Sequence, residues 1–128
     1  MFNKEERSTF KYWFAHWCAF QMTALNLKCW KFKYLFHDIE KPWLMLLWKD
    51  YKRVQKWHRN HSKHHIEYPN EYYIDWEAVV IDWECSRFTK VASPRTAREE
   101  MQRVIESNPK YEILLKIKML PILNNLNL

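Results

Sequence analysis

The chain contains no glycine. Proteins ordinarily carry roughly 7% of it, and tight hairpin turns of the Asn-Gly or Gly-X kind depend on it, so its absence counts against a β-rich fold. Cysteine is scarce and odd in number. Cys18, Cys29 and Cys85 show no Cys-x-x-Cys spacing, which argues against a disulfide framework or a zinc ribbon and points to reduced thiols in a cytosolic setting. Long apolar runs are missing too: the longest, Trp43 to Trp48, is far short of the roughly 20 residues that span a bilayer. The opening MFNKEERSTFKYW lacks the apolar centre of a signal peptide. The expected setting is the cytoplasm, with no membrane partner.

What is present is aromatic and basic. Eight Trp stand in a chain of 128 residues that is 48% hydrophobic and 28% charged, a globular composition at a length that suits one domain. Lys and Arg number 21 against 15 Asp and Glu, a formal charge of +6 that favours anionic partners such as nucleotides, nucleic acid or acidic surfaces. Neither charge nor length specifies an oligomeric state.

The apolar residues recur mostly at helical steps. Phe10, Trp13, Phe14, Trp17, Phe20, Met22 and Leu25 predict a first helix over 8–27, capped by Ser8 or Thr9. A short second segment from Cys29 to Asp38 carries Trp30, Tyr34 and His37 at i, i+4 and i+7 and breaks at Glu40-Lys41-Pro42. Pro42 suits the first turn of a third helix reaching beyond Trp57, with Trp43, Leu44, Leu47, Trp48, Tyr51, Val54 and Trp57 as its buried stripe. After a loop over 66–70, helical spacing resumes from Tyr72 to about Thr89. Ser93-Pro94 has the cap-and-first-turn pattern of a helix to about Ser107, Asn108-Pro109 starts another, and the tail around Pro121 is expected to fray or dock loosely. The expected fold is all-α, a single-domain compact helical bundle over 1–128. Its site-bearing part spans 8–90, and a helical extension over 93–128 serves as packing or substrate lid. The tryptophans, at helical spacing beside aliphatic residues, are expected in the core.

The residues that carry chemistry are His16, His37-Asp38, His58, His61, His64, His65, Asp75 and Asp82. Neutral imidazole and carboxylate suit Zn, Mn, Fe and Ni, and a site built between helices needs such ligands projecting inward from several elements. Residues seven apart on a helix differ by only about 20° of rotation, so His58 and His65 can face one point, with His61 between them. His64 points away unless the helix ends near Ser62. Asp75 and Asp82 compete for the last position, with partnership to surface cations as the other role for either; the Ile-Asp-Trp context favours Asp82. Taken alone, Asp38 could simply cap the next helix and the HRNHSKHH run could be a solvated basic segment. Lys41, three residues after Asp38, is the first choice for a cation that neutralises negative charge at the cluster, with Arg59 or Arg87 as the others.

The order His16, His37-Asp38, His58, His64-His65, Asp82 resembles the motif of the HD-domain metal-dependent phosphohydrolase superfamily in its two-metal version, over roughly residues 16 to 83. More narrowly, HxxxSxHH followed by Ile-Asp-Trp, with FHDIEKP upstream, is similar to a family of short phage and bacterial proteins of unknown function. That family usually has Asn at the position of Ser62 and Ser-Lys-Phe at Glu40-Lys41-Pro42. The superfamily resemblance implies an HD-like bundle in which His37 and Asp38 ligate a first metal with His16 and Asp82. Asp38 would bridge if two ions bind, and His58 with either His64 or His65 would complete the second site. It also implies one or two divalent ions (Mn, Fe, Zn, Ni, Co or Mg), Asp38 and Lys41 as catalytic residues, and a small phosphorylated substrate such as a nucleotide, in the host cytoplasm if the gene is a phage's. The alternative expectation, from the basic residues between Lys49 and Lys63, is a non-catalytic helical module that binds nucleic acid or a host protein and keeps a structural metal site.

Overall fold

A computed structural model describes residues 2–3, 5–90 and 94–128. Among them are seven α-helices and no strand, so the expected all-α class is observed. The helices are α1 (Phe10–Asn26), α2 (Lys41–Trp48), α3 (Tyr51–His61), α4 (Trp76–Ser86), α5 (Ala97–Ser107), α6 (Glu112–Lys118) and α7 (Leu120–Asn125). The one extended contact is an isolated bridge between Phe2 and Lys90, which ties the N-terminus to the end of α4. No helix is long and apolar enough to cross a membrane among the described residues.

With no glycine available, left-handed backbone falls on other residues: Lys28, Asp38, Lys49 and Asn127, with φ of 58°, 56°, 52° and 57°. Such positions cost on the order of 1 kcal/mol each and appear where the chain must turn. Lys28 closes α1 and Asn127 closes α7 by the same device, the next residue's N–H reaching back to the carbonyl five positions earlier, Cys29 to Ala24 and Leu128 to Leu123. Lys49 ends α2, and the Asp50 carboxylate then caps α3 by accepting from the amides of Lys52 and Arg53. The single third helix expected beyond Pro42 is therefore two helices. Its stripe is not buried either, because Trp43 and Leu47 are 68% and 76% exposed, and of the seven residues only Val54 is fully enclosed.

Helix α4 is the centre of the molecule. One face, Ala78, Ile81 and Cys85, packs on Phe20 and Ala24 of α1 and on Tyr34. The other, Val79 and Val80, packs on Met101, Ile105, Leu115 and Leu123 from α5, α6 and α7. On α1 the buried row Tyr12, His16, Phe20, Ala24 steps by four, so one helical stripe supplies both core and site. No tryptophan is fully buried, although Trp76 and Trp83 pack half-buried against this core. Trp13 and Trp17 are half-buried and donate their indole N–H to the carbonyls of Asp38 (2.8 Å) and Leu35 (3.0 Å), while Gln21 donates to that of Tyr34 (2.6 Å). One face of α1 thus holds the 34–38 segment by its backbone. That segment is itself only a short 3-10 turn, Phe32–Phe36.

Two further expectations are corrected. The helix after residue 93 is capped by Thr96, reciprocated by Glu99 in a capping box; Ser93 lies outside the described residues. The tail does not fray: Leu123 is fully buried, and Arg98 donates to the Leu128 carbonyl at 2.8 and 3.0 Å. Leu123→Ala should therefore lower unfolding stability by about 2–5 kcal/mol, measured by denaturant titration; a change below about 0.5 kcal/mol, as at an ordinary surface site, would show a loosely held tail.

Candidate metal centre

Two clusters of ligand atoms meet at Asp38. On one side His16 Nε2 lies 2.8 Å from Asp82 Oδ1, 3.3 Å from His37 Nε2 and 3.6 Å from Asp38 Oδ2. His37 Nε2 completes the group at 3.2 Å from Asp82 Oδ1 and 3.5 Å from Asp38 Oδ2. On the other side Asp38 Oδ1 is 2.8 Å from both His58 Nε2 and His64 Nε2, which are 3.1 Å from each other. His65 joins this second group, its ring 4.7 Å from that of His58 and 4.3 Å from that of His64. The atoms of Asp38, His58, His64 and His65, and those of His16, His37 and Asp38, lie close enough together to hold a metal ion. Ligands about 2.1 Å from one ion sit about 3.0–3.4 Å from each other in octahedral or tetrahedral arrangement; the contacts here run from 2.8 to 3.6 Å, bracketing that spacing.

Local structure accounts for the convergence. Asp38 takes its left-handed conformation immediately after the 3-10 turn, with its carbonyl held by Trp13, and this turns the carboxylate inward between the two histidine groups. Phe20 stacks on His37 at a centroid distance of 3.8 Å and fixes the ring plane. Helix α3 stops at His61, with Ser62 as its cap, and the chain's turn there brings His64 and His65 in together. His64 therefore does not point away. His61 does: its Nδ1 is 2.8 Å from the Trp57 carbonyl and its ring stacks on Trp57 outside the cluster. Asp82 belongs to the site, whereas Asp75 caps α4 and pairs with Lys33 at 2.6 Å. Asp75→Ala should cost about 1 kcal/mol of helix capping and leave any metal affinity unchanged, as checked by thermal melting beside metal titration; a lost ion would reverse the assignment.

The electrostatics suit a cation. Burial would raise the Asp38 carboxyl, but His37, Lys41, His58 and His64 around it outweigh burial and hold it well below its ordinary range. Hydrogen bonds from His16 and His37 do the same for Asp82. Burial lowers His37 to about 4 and pushes His65 well down, with the neighbouring His64 and His58 adding to the shift at His65, so both rings are neutral at pH 7. His58 moves up, since the carboxylates of Asp38 and Glu40 outweigh its burial. Its Nδ1 is hydrogen-bonded to Glu40, which also accepts from Ser62 Oγ. With Nδ1–H donated to Glu40, Nε2 is the ring atom that faces Asp38 Oδ1 and is free to take an ion when the ring is neutral. That oxygen is sealed from solvent and neither nearby imidazole is aligned to donate to it; His65 Nε2 is likewise buried without a partner. A buried carboxylate oxygen and a buried ring nitrogen, both without a hydrogen-bond partner, are what a cation would satisfy. His16, Asp82 and Cys85 form a third group close enough to hold an ion, with Cys85 Sγ 3.9 Å from His16 Nδ1, and burial pushes the Cys85 thiol well up.

Lys41 is half-buried with Nζ 3.3 Å from Asp38 Oδ2, as its spacing suggested, and Asp38 keeps it charged against the effect of burial. Arg59 lines the way in. Arg87 does not line the cavities around the cluster; it pairs with Glu84 at 3.7 Å and stacks on Phe88. From the cluster a neck of about 90 Å³, lined by His16, Asp38, Lys41 and His58, opens into a cavity of about 500 Å³. Both spaces share Arg7, Arg59, His65, Asp82, Ser86 and Lys90. Sequence reasoning missed Glu40, Arg7 and Lys90. An acid two residues after Asp38 was a usable signal for Glu40; nothing in the sequence marks the other two.

No family model matches the chain, and no curated protein or solved structure gives a significant match.

Proposed function

We propose that the protein is a metal-dependent phosphohydrolase acting on a small phosphoester such as a nucleotide, with Asp38 shared between two adjacent divalent ions. The observation that carries this is the division of the Asp38 carboxylate, Oδ2 toward His16 and His37 and Oδ1 toward His58 and His64. His16, His37, Asp38 and Asp82 would hold the first ion, and Asp38, His58, His64 and His65 the second. A divalent ion bound there would supply a water acidified to a pKa of about 7 and would polarise a phosphoryl oxygen.

The remaining work falls to the chain. Glu40 fixes the His58 tautomer by accepting a hydrogen bond from Nδ1–H, and Phe20 holds the His37 ring. Lys41 brings positive charge to the phosphoryl oxygens. The neck admits a phosphoryl group and the wider cavity the body of the molecule, within the roughly 300–1,000 Å³ of small-molecule sites. The test is release of phosphate from a panel of nucleotides and sugar phosphates by protein loaded in turn with Mn, Co, Ni, Fe, Zn and Mg. Turnover abolished by His37→Ala supports the proposal; no product with any metal, or activity untouched by that change, contradicts it.

One observation favours a second role. Lys52, Arg53, Lys56 and Arg59 are all exposed on α3, a basic face suited to phosphates of nucleic acid. Binding there should weaken steeply with salt; affinity independent of salt rules it out.

A further inference from the structure

We propose that Arg7, Arg59 and Lys90 form an anion subsite beside the His/Asp cluster, and that the ligand carries two directly linked phosphoryl groups, one at the cluster and one on these cations. The subsite rests on the cavity; the phosphoryl group at the cluster rests on the phosphohydrolase proposal. The three side chains come from separate parts of the chain: a 3-10 turn before α1, the last turn of α3, and the residue that bridges to Phe2 after α4. All three line both the neck and the cavity, together with the cluster residues Asp82 and His65.

Like charges brought together in a half-enclosed space repel, so the arrangement costs energy unless an anion joins it. Of the acidic residues that line the cavity, Asp82 belongs to the cluster, and among the described residues Glu67 forms no ion pair with these three. Glu100 is taken by Arg103, in two contacts of 3.0 and 2.7 Å, and by Arg95 at 3.7 Å. Among the described residues no ion pair engages Arg7, Arg59 or Lys90, and the Nε of Arg7 is sealed from solvent without a hydrogen-bond partner. Burial also lowers the Lys90 pKa, and Arg7 and Lys41 beside it add to the shift, while Asp82 opposes it.

The charge count separates one phosphoryl group from two. At the cluster, ions and Lys41 answer one phosphoryl dianion; three further cations a short way along the same channel call for a second. Arginine's planar fork suits that group, which binds through paired charge-assisted hydrogen bonds. The ligand class is therefore a diphosphate or longer phosphate chain on a small molecule, rather than a monoester.

The experiment compares methylenediphosphonate with methylphosphonate, neither of which is hydrolysed, by calorimetry on the full-length, metal-loaded protein, with metal content measured on the same samples. The diphosphonate should bind at least about tenfold tighter. Arg7→Gln and Lys90→Gln should each cost it about tenfold or more and cost the monophosphonate much less, with metal content retained; Arg7→Lys should recover part of the loss. Equal affinity for the two probes, or a diphosphonate advantage that survives in the double variant, overturns the subsite. A protein that hydrolyses nothing yet keeps the diphosphonate preference retains the subsite and loses the phosphohydrolase reading. One that turns over monoesters without the preference does the opposite.

Discussion

Asp38→Asn should abolish metal binding on both sides of the cluster and reduce any metal-dependent turnover to background. The substitution keeps the shape of the side chain, and asparagine tolerates the left-handed backbone that Asp38 adopts at φ 56°. What it removes is the charge, and one of the two oxygens becomes an NH₂ donor. A donor facing His58 and His64, both 2.8 Å from Oδ1, or facing His16 and His37 at 3.6 and 3.5 Å from Oδ2, opposes a cation at that point. Because changes to residues that only support metal ligands commonly cost 10–100-fold in affinity, loss of this shared ligand should exceed about 100-fold. The variant should also be less stable, since Lys41 and the surrounding histidines lose their buried counter-charge, at a cost of about 3–5 kcal/mol for a broken buried pair. Metal content after gel filtration, read beside circular dichroism, separates the two effects. A folded variant with full metal content would contradict the bridging role.

Removing the metal should have the second largest effect. Asp38 and Asp82 are buried carboxylates held ionised by their neighbours, and an ion bound only by the folded chain stabilises it by mass action. At a free ion concentration of about a thousand times the dissociation constant this is worth about 4 kcal/mol, and for a chain of this size a shift on the order of 10–20 °C in melting temperature. A strong chelator should lower the melting temperature by that amount, and a slight excess of Mn or Zn should restore it. A melting curve indifferent to both would show that the cluster is held by hydrogen bonds alone.

Much of this was legible in the sequence, and the losses have identifiable causes. The all-α class followed from the helical period and the missing glycine, and His16, His37, Asp38, His58 and Asp82 converge in the structure as their order suggested. The division of the third helix was hidden because the apolar spacing continues across Trp48-Lys49-Asp50-Tyr51, and the break rests on a left-handed lysine where most chains would place glycine. The tryptophans misled because spacing reports a face and not a depth. Trp13 and Trp17 share a face of α1 but use their N–H groups to hold the 34–38 segment. The choice between His64 and His65 had no answer on an ideal helix; both enter because α3 ends at His61. Arg7 and Lys90 reach the cavity only through tertiary packing, which no local spacing encodes.

The account stands or falls on how many ions the purified chain holds. Elemental analysis of the wild type should find two divalent ions per chain, with about one remaining in Asp82→Ala, which disturbs only the His16/His37 side, and about one in His64→Ala, which disturbs only the His58 side. A wild type with no metal above background after incubation with Mn, Fe or Zn, or both variants retaining the full wild-type content, would contradict it.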